Sequence, residues 1–279
     1  MLRLAVMNSR DFPFAVELAN TLGWNMAVED FVFNSKLEPN GCFVALDDSV
    51  PVGISTCISY GRVGWFGNLA VKEDCRRKGV GSALVKHSID YLKTMRTEII
   101  GLYAYTHLVG FYQKFGFKSD QTFMVLKGRV TNYTVGGNVR KSRNEDVSRL
   151  FALDAKCYGS DRSKLLKSIL EDKENMCYIS SENGQILGFA MAKVYQGMAE
   201  IGPLICTSKH TVSSVALLRT ILNRLKGLEV FIYLSMKHKA LLDFLLESGF
   251  QKNFEVSRMF LGSVKAEDCI CLAESLERG

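Results

Sequence analysis

Residues 69–84 read LAVKEDCRRKGVGSAL, and this stretch decides how the first half of the chain is interpreted. The apolar strand Leu69-Ala70-Val71 ends in a basic loop with two glycines, which runs directly into a helix. Unpaired backbone amides at a helix start, together with the helix dipole, favour an anion there. Gly79 and Gly81 let the backbone approach a ligand closely, and residues 76–78 (Arg-Arg-Lys) supply positive charge. The stretch therefore predicts a pyrophosphate-binding loop.

Three small motifs recur along the chain at a nearly constant distance. Gly53 and Gly67 recur as Gly188 and Gly202, an offset of 135 residues in both cases, and FYQKFGF at 111–117 returns as FLLESGF at 244–250, an offset of 133. So regular a repeat predicts two copies of one folding unit. The stretch TNYTVGGN at 131–138 is polar and contains glycine, which is typical of a linker. We therefore expect a first copy at 1–130 and a second copy at 138–279.

Hydrophobic periodicity predicts the same coarse order of elements in both copies. In the first copy, strands are expected at 2–7, 42–46, 53–60, 64–71, 99–104 and 123–127, and helices at 12–22, 28–36 and 108–115. An amphipathic helix follows the loop, with Val80, Leu84, Ser88, Tyr91 and Met95 on one stripe. The order predicts an α/β fold of the α+β type, in which each copy has a mixed, mostly antiparallel twisted sheet flanked by helices.

Composition argues against several classes of protein. No apolar run reaches the roughly 18 residues of a membrane-spanning helix, and the N-terminal MLRLAVMNSRD lacks a signal-peptide pattern. The net charge is +6, without the aromatic-interleaved basic run of a nucleic-acid surface. The eight cysteines are scattered, and the close pair Cys269 and Cys271 has no partner at metal spacing. We predict a cytoplasmic protein, monomer or homodimer, with reduced thiols and with no metal, membrane or nucleic-acid partner.

The basic loop matches neither a Walker loop, since GxxxxGK[ST] is absent, nor a Rossmann fingerprint, since GxGxxG is incomplete. It resembles the signature [QR]-x-x-G-x-[GA] of the GNAT superfamily of acyl-CoA-dependent N-acyltransferases, with Arg76, Gly79 and Gly81 at the signature positions. The family's aromatic-Tyr-x-x-hydrophobic-Gly-Phe helix end is similar to residues 111–117. The resemblance is close over about residues 1–128 and holds only in outline over 138–262.

The resemblance implies acetyl-CoA as co-substrate, with its pantetheine arm along the strand and its pyrophosphate in the loop. The residues implied in binding are Leu69, Ala70, Val71, Arg76, Arg77, Lys78, Gly79, Val80, Gly81 and Ser82. The implied reaction is attack of an amine on the acetyl thioester. No metal is implied.

Tyr112 stands where the family places its general acid, and a phenol with an ordinary pKa of roughly 10 is a reasonable donor to a thiolate. The alternative for Tyr112 is a core aromatic residue. No general base is readable, because residues 64–69 contain neither Glu nor His. Asn68, which could orient an ordered water, and His107 are the candidates; an ordinary polar residue at a helix start is the alternative for His107. His87 lies on the apolar stripe and is expected to be structural.

Acceptor selection in this family falls to the first two helices and their connection. Trp24, Asn25 and Glu29 are therefore the candidate substrate residues, with a core tryptophan and a solvated first-turn acid as the alternatives for Trp24 and Glu29. We expect a small amine, similar to an amino acid or a polyamine, more than a protein amine.

The second copy lacks the residues that would carry this chemistry. At the repeat offsets, Arg76, Gly79 and Gly81 correspond to Thr211, Ser214 and Ala216, and Tyr112 corresponds to Leu245. We therefore predict a degenerate second copy that acts as a substrate lid or support. Two functions stay open at this point: an N-acetyltransferase, or a non-catalytic acyl-CoA-binding sensor.

Overall fold

The computed structural model describes residues 1–130, 138–195, 197–207, 211–263 and 269–279. The predicted linker lies outside the described residues except for Asn138. By its contacts the chain forms two compact units: unit 1 comprises 1–102, 260–262 and 278, and unit 2 comprises 103–259, 263–277 and 279. The division by packing therefore falls earlier than the division by sequence repeat, because residues 103–130 of the first copy belong to unit 2.

Unit 1 is built around a sheet with the order β1-β2-β3-β4-β5. Its elements are β1 (Leu2–Val6), α1 (Phe12–Asn20), α2 (Val28–Leu37), β2 (Cys42–Asp47), β3 (Val50–Ser59), β4 (Val63–Val71), α3 (Val80–Thr94) and β5 (Ile99–Tyr105), whose last three residues belong to unit 2. The first three strand pairs are antiparallel, and β4 and β5 are parallel. The mixed, mostly antiparallel sheet that the sequence predicts is confirmed.

Helices cover both faces of the unit 1 sheet. On one face, Phe12 of α1 and Phe31 of α2 pack with Val44, Ile54 and Ala70 of the strands. On the other face, α3 follows the predicted stripe from Val80 to Tyr91, and the hydroxyls of Ser88 and Ser55 are 3.2 Å apart. The stripe ends one turn earlier than the sequence predicts. Met95 lies just beyond α3 and is 44% exposed.

Unit 2 contains a larger sheet with the order β12-β6-β11-β13-β10-β9-β8-β7. Its elements are α4 (Val109–Gln113), β6 (Lys118–Arg129), β7 (Val139–Lys141), α5 (Val147–Tyr158), α6 (Ser163–Glu171), β8 (Met176–Glu182), β9 (Gln185–Tyr195), β10 (Met198–Cys206), α7 (Thr211–Leu222), β11 (Glu229–Ser235), α8 (Lys239–Glu247), β12 (Gln251–Leu261) and β13 (Ile270–Leu272). Helices α7 and α8 pack on this sheet in one apolar cluster, through residues such as Leu218, Ile221 and Leu245.

A strand of the first sequence copy forms a hydrogen-bonded pair with a strand of the second. β6 pairs antiparallel with β11 over seven residue pairs, from Phe123 with Ser235 to Arg129 with Glu229. The backbone donors and acceptors on this side of β6 are satisfied by the second copy, and such groups are rarely left unpaired in a core. This pairing explains why residues 103–130 group with unit 2.

Most cysteines are buried, and the helices are short. Of the eight free cysteines, seven are buried and Cys75 is half-buried, so the predicted core position of most thiols is confirmed. Over the described ranges, no helix is both long and apolar enough to cross a membrane.

Candidate functional site

The fourth strand carries a bulge at the centre of the predicted site. Ile54 of β3 pairs with Ala70 and Thr56 pairs with Gly67, so Asn68 and Leu69 both lie opposite Ser55. Asn68 takes a φ of +50°, in the left-handed region that Asn tolerates better than most residues. A bulge bends a strand and redirects its side chains, and bulges are frequent beside active sites.

Strand β4 stops pairing with its neighbour β5 soon after the ladder between them begins. The parallel ladder between β4 and β5 joins Val63–Trp65 to Ile99–Gly101 only, although β4 continues to Val71. A Cβ on Gly101 would lie 2.2 Å from the Trp65 ring, so the indole packs directly against the β5 backbone where the ladder ends. Among the described strands, β4 has β3 and β5 as its ladder neighbours. Its edge from residue 67 to 70 therefore offers backbone hydrogen-bonding groups to an extended ligand.

The loop after β4 leads into α3, and the amides of the first turn of this helix have no acceptor within it. Gly79 is the N-cap of α3 with a φ of +88°, a conformation that glycine adopts at little cost, and a side chain there would project into open space. The first helical bond in this turn runs from the Ala83 amide to the Gly79 carbonyl, at 2.9 Å. The amides of residues 80–82 precede it and have no acceptor within the helix.

Three exposed basic side chains, Arg76, Arg77 and Lys78, directly precede this helix start. Arg76 also donates from Nε to the Val71 carbonyl at 3.1 Å, which ties the loop to the end of β4. Free amides, an N-terminal helix dipole and three cations are the donor set that a pyrophosphate requires. The residues present therefore fit the diphosphate of a CoA molecule.

Both halves of the sequence match models of one family. Residues 7–117 match the acetyltransferase (GNAT) family, and residues 150–269 match the acetyltransferase (GNAT) domain. The chain belongs to the GNAT family. It is a tandem GNAT protein, since the two matches cover separate parts of the chain.

One relative is similar in sequence to this chain, and two solved structures share its fold. Over 213 residues the chain is 25% identical to an uncharacterised N-acetyltransferase, YitH, of Bacillus subtilis. The aligned region covers 74% of this chain and 74% of YitH. The crystal structure of a putative acetyltransferase from Pyrococcus horikoshii is similar in fold, with a TM-score of 0.83, 20% identity and coverage of 100% of this chain and 96% of that one. A tandem GNAT protein from the clavulanic acid biosynthesis pathway shares the fold at a TM-score of 0.65 and 12% identity, with coverage of 95% and 100%.

Asn68 is the candidate for positioning a water or substrate in unit 1. The residue is 9% exposed, and within the described part of the chain its buried Nδ2 has no hydrogen-bond partner. A buried amide donor in a native protein is normally satisfied, and where no protein group does so a water or ligand is the usual partner. The bulge that produces this geometry has no short sequence motif of its own.

Tyr112 and His107 lie in unit 2. Tyr112 is buried on α4 with its ring against those of Phe111 and Phe117, at centroid distances of 5.1 and 6.1 Å. Burial raises the pKa of its phenol well above the ordinary value, which keeps the hydroxyl protonated at every physiological pH. His107 is exposed and stacks on the Tyr105 ring at 5.8 Å.

The candidate acceptor residues lie around the start of α2. Trp24 is half-buried and packs on the apolar cluster beneath α1 and α2, whereas Asn25 and Glu29 are exposed. The neighbouring Asp30 accepts a hydrogen bond from the Ala27 amide at 2.8 Å, so its carboxylate caps the helix. Glu29 is thus the first-turn acid left exposed at this helix start. His87 is half-buried against the Phe43 ring, in the structural position expected from the stripe.

Two of the counterparts in unit 2 are core positions. Ser214 on α7 is 2% exposed, and Leu245 on α8 is fully buried in the apolar cluster. Ala216 is half-buried on α7. These residues support packing where the first copy presents a loop and a phenol.

Two buried ionic clusters were not predicted from the sequence. Arg162 donates to both carboxylate oxygens of Asp154, at 2.9 Å each, with both side chains almost fully buried. Lys193 lies 2.9 Å from Glu200 and also pairs with Glu274, 81 residues further along the chain. The first pair is close in sequence, but the second depends on contacts that no local pattern encodes.

Proposed function

We propose that this GNAT protein transfers an acetyl group from acetyl-CoA to a primary amine of a small molecule similar to an amino acid or a polyamine. The observation that carries the proposal is the combination, within unit 1, of the β4 bulge, the open β4 edge and the glycine-capped start of α3. Acetyl-CoA supplies the acyl thioester when it is bound.

The loop and strand of unit 1 account for binding. The amides of residues 80–82 and the cations of residues 76–78 would hold the diphosphate. The backbone of Leu69, Ala70 and Val71 lies on the edge of β4 beyond its ladder with β5, and this edge would bind the pantetheine amides as a neighbouring strand would. A backbone N–H near the bulge would polarise the thioester carbonyl, and a donor of this kind contributes about 2.7–4 kcal/mol where it has been measured.

Proton movement is assigned to two side chains. The buried Asn68 amide would orient a water through which the proton of the attacking amine passes to solvent, because its Nδ2 is left without a hydrogen-bond partner among the described residues. Tyr112, named by the family resemblance, would stabilise the leaving thiolate. Its raised pKa favours the role of a hydrogen-bond donor over that of a strong acid.

Charge supports a cationic acceptor. Glu29 is exposed in the first turn of α2, the region through which the family selects acceptors, and its carboxylate is not used as the helix cap. A carboxylate attracts the ammonium form of an amine at such a position.

The proposal is tested by incubating the full chain with acetyl-CoA and a panel of amino acids, polyamines, amino sugars and a lysine peptide. Acetylated products are measured by mass spectrometry, which avoids thiol reagents that would react with the protein's own cysteines. We expect acetylation of one small-amine class. Binding of acetyl-CoA without transfer to any amine would instead identify a sensor, and preference for the peptide would overturn the small-molecule assignment.

A further inference from the structure

The two GNAT copies differ in what lies between the diverging ends of their central parallel strands. In unit 2, β10 and β11 are the counterparts of β4 and β5, and they pair in parallel from Met198 with Glu229 to Ile201 with Ile232. Beyond this point their ladder stops, as that of β4 and β5 stops in unit 1. The strands of both copies therefore diverge towards their carboxyl ends.

In unit 2 this divergence is filled by the chain itself. β13 pairs antiparallel with both strands, because Leu272 lies opposite Leu204 of β10 and also opposite Leu234 of β11. The bonds continue on either side: the Cys206 amide donates to the Cys269 carbonyl and the Ala273 amide donates to the Tyr233 carbonyl, each at 3.0 Å. The backbone edges exposed by the divergence are thus satisfied within unit 2.

We propose that the β10–β11 cleft is a strand-binding site whose occupant is residues 269–274 of this chain, held there in place of an acyl-CoA arm. The comparison with an acyl-CoA arm rests on the proposed function of unit 1, whereas the occupancy of the cleft rests on unit 2 alone. Unit 2 is therefore closed to a cofactor by an internal strand as well as by its altered loop.

A buried ion cluster fastens the end of this strand. Glu274 is fully buried, and both its carboxylate and its backbone carbonyl accept hydrogen bonds from Lys193 of β9. Lys193 also pairs with Glu200 of β10, which accepts a hydrogen bond from the Tyr233 hydroxyl. Ions are costly to bury unless they are paired and hydrogen-bonded, so the cluster specifies one position for residue 274.

Gly202 gives the strand room to enter. A Cβ at this position would lie 1.9 Å from the Ala273 carbonyl oxygen and 3.0 Å from the Glu274 Cα. These are backbone atoms, which cannot move aside without shifting the strand. Gly202 is the counterpart of Gly67 in the sequence repeat, and in unit 2 its lack of a side chain serves the internal strand.

Native cysteines report on the strand without added labels. Cys269 and Cys271 are buried in it, Cys42 and Cys57 are buried in unit 1, and Cys75 is half-buried. A buried thiol reacts with an alkylating reagent only when its surroundings open. Labelling of the intact native chain with iodoacetamide, followed by mass spectrometry of each cysteine peptide, therefore measures release of the strand.

We expect Cys269 and Cys271 of the natural protein to react as slowly as Cys42 and Cys57, and at least about tenfold slower than Cys75. Gly202→Ala should speed both by at least about tenfold and leave Cys42 and Cys57 unchanged. Gly110→Ala is the matched control, because a Cβ there meets no atom within 4 Å.

Glu274→Gln removes one charge of the anchor and should speed the same two cysteines to a smaller extent, which keeps the test informative if Gly202→Ala fails to fold. Reaction of Cys271 in the natural protein at the rate of Cys75 would overturn the proposal. So would unchanged protection in a folded Gly202→Ala protein, or in Glu274→Gln where Gly202→Ala does not fold. Acetyl-CoA affinity measured on the same samples reports on unit 1 separately, so failure of the proposed function is distinguishable.

Discussion

The central parallel strands of the two units show how one fold is kept with and without a ligand site. In unit 1, β4 and β5 pair over three residues, and the edge of β4 then continues past the bulge to a glycine-capped helix. In unit 2, β10 and β11 pair over four residues, and β13 completes the hydrogen bonds beyond them. Both copies have this divergence of the two strands, so it is a property of the fold. Whether a ligand can bind between the strands depends on whether a segment of the chain already lies there.

The helix starts differ in the same sense. Gly79 caps α3 in the left-handed region, with open space around it. Its counterpart Ser214 is buried inside α7. The apolar face of each helix packs on its sheet independently of this turn, so the turn changes without loss of the core.

The largest expected effect comes from placing a carboxylate among the free amides of unit 1. Gly81→Glu should lower acetyl-CoA affinity by at least about 100-fold, because a negative charge and a side chain would enter a site for a diphosphate. Ala216→Glu makes a similar change at the corresponding position of unit 2 and should leave affinity unchanged. Calorimetry of both variants checks this, and equal affinities would show that the loop is only a surface turn.

Removing one hydroxyl tests the chemical step. Tyr112→Phe should lower kcat by about 100-fold, the lower end of general acid–base effects, because the phenol is proposed to stabilise the leaving thiolate. Acetyl-CoA affinity should be nearly unchanged, since the ring keeps its contacts with Phe111 and Phe117. The raised pKa also predicts that no loss of activity below about pH 10 arises from this residue.

Steady-state kinetics on the acceptor found in the amine panel measures this effect. Tyr178→Phe, at a buried tyrosine of the unit 2 core to which no role in the reaction is assigned, is the control for a lost hydroxyl. An unchanged kcat in Tyr112→Phe would make Tyr112 a core aromatic residue only.

A smaller effect is expected at the bulge. Asn68→Gly keeps the backbone free to adopt its positive φ but removes the amide that is proposed to hold a water. We expect kcat to fall by about tenfold with little change in melting temperature. The pH profile of kcat should shift at the same time, whereas a purely structural role would leave the profile in place.

The mildest test compares thiol protection by the ligand in the two units. Cys75 precedes the basic loop, so acetyl-CoA should slow its alkylation several-fold, as a ligand slows local opening where it binds. The rate at Cys271 should be the same with and without acetyl-CoA. Ligand protection at Cys271 would mean that unit 2 also responds to the cofactor, which the comparison excludes.

Elements set by local pattern were predictable from the sequence. The strands and helices of the first copy follow from apolar periodicity, and the structure confirms them. The basic loop and the repeat follow from glycine and charge positions. The last strand of the first copy is longer than expected, Lys118–Arg129 against 123–127, because its pairing with β11 extends it.

Features set by distant partners were not predictable. The pairing of β6 with β11 joins residues about a hundred positions apart, and β13 is only three residues long, too short to show a periodicity. The contact of Lys193 with Glu274 likewise has no local signal. The candidate site divides in the same way, since its loop is a motif whereas the unpaired Asn68 amide results from a register shift.

The stoichiometry of acetyl-CoA binding tests the difference between the two units most directly. Isothermal titration calorimetry of the full chain should give one site per chain, and Gly81→Glu should abolish it. Two equivalent sites per chain, or one site that survives Gly81→Glu, would contradict the assignment of the ligand to unit 1 alone.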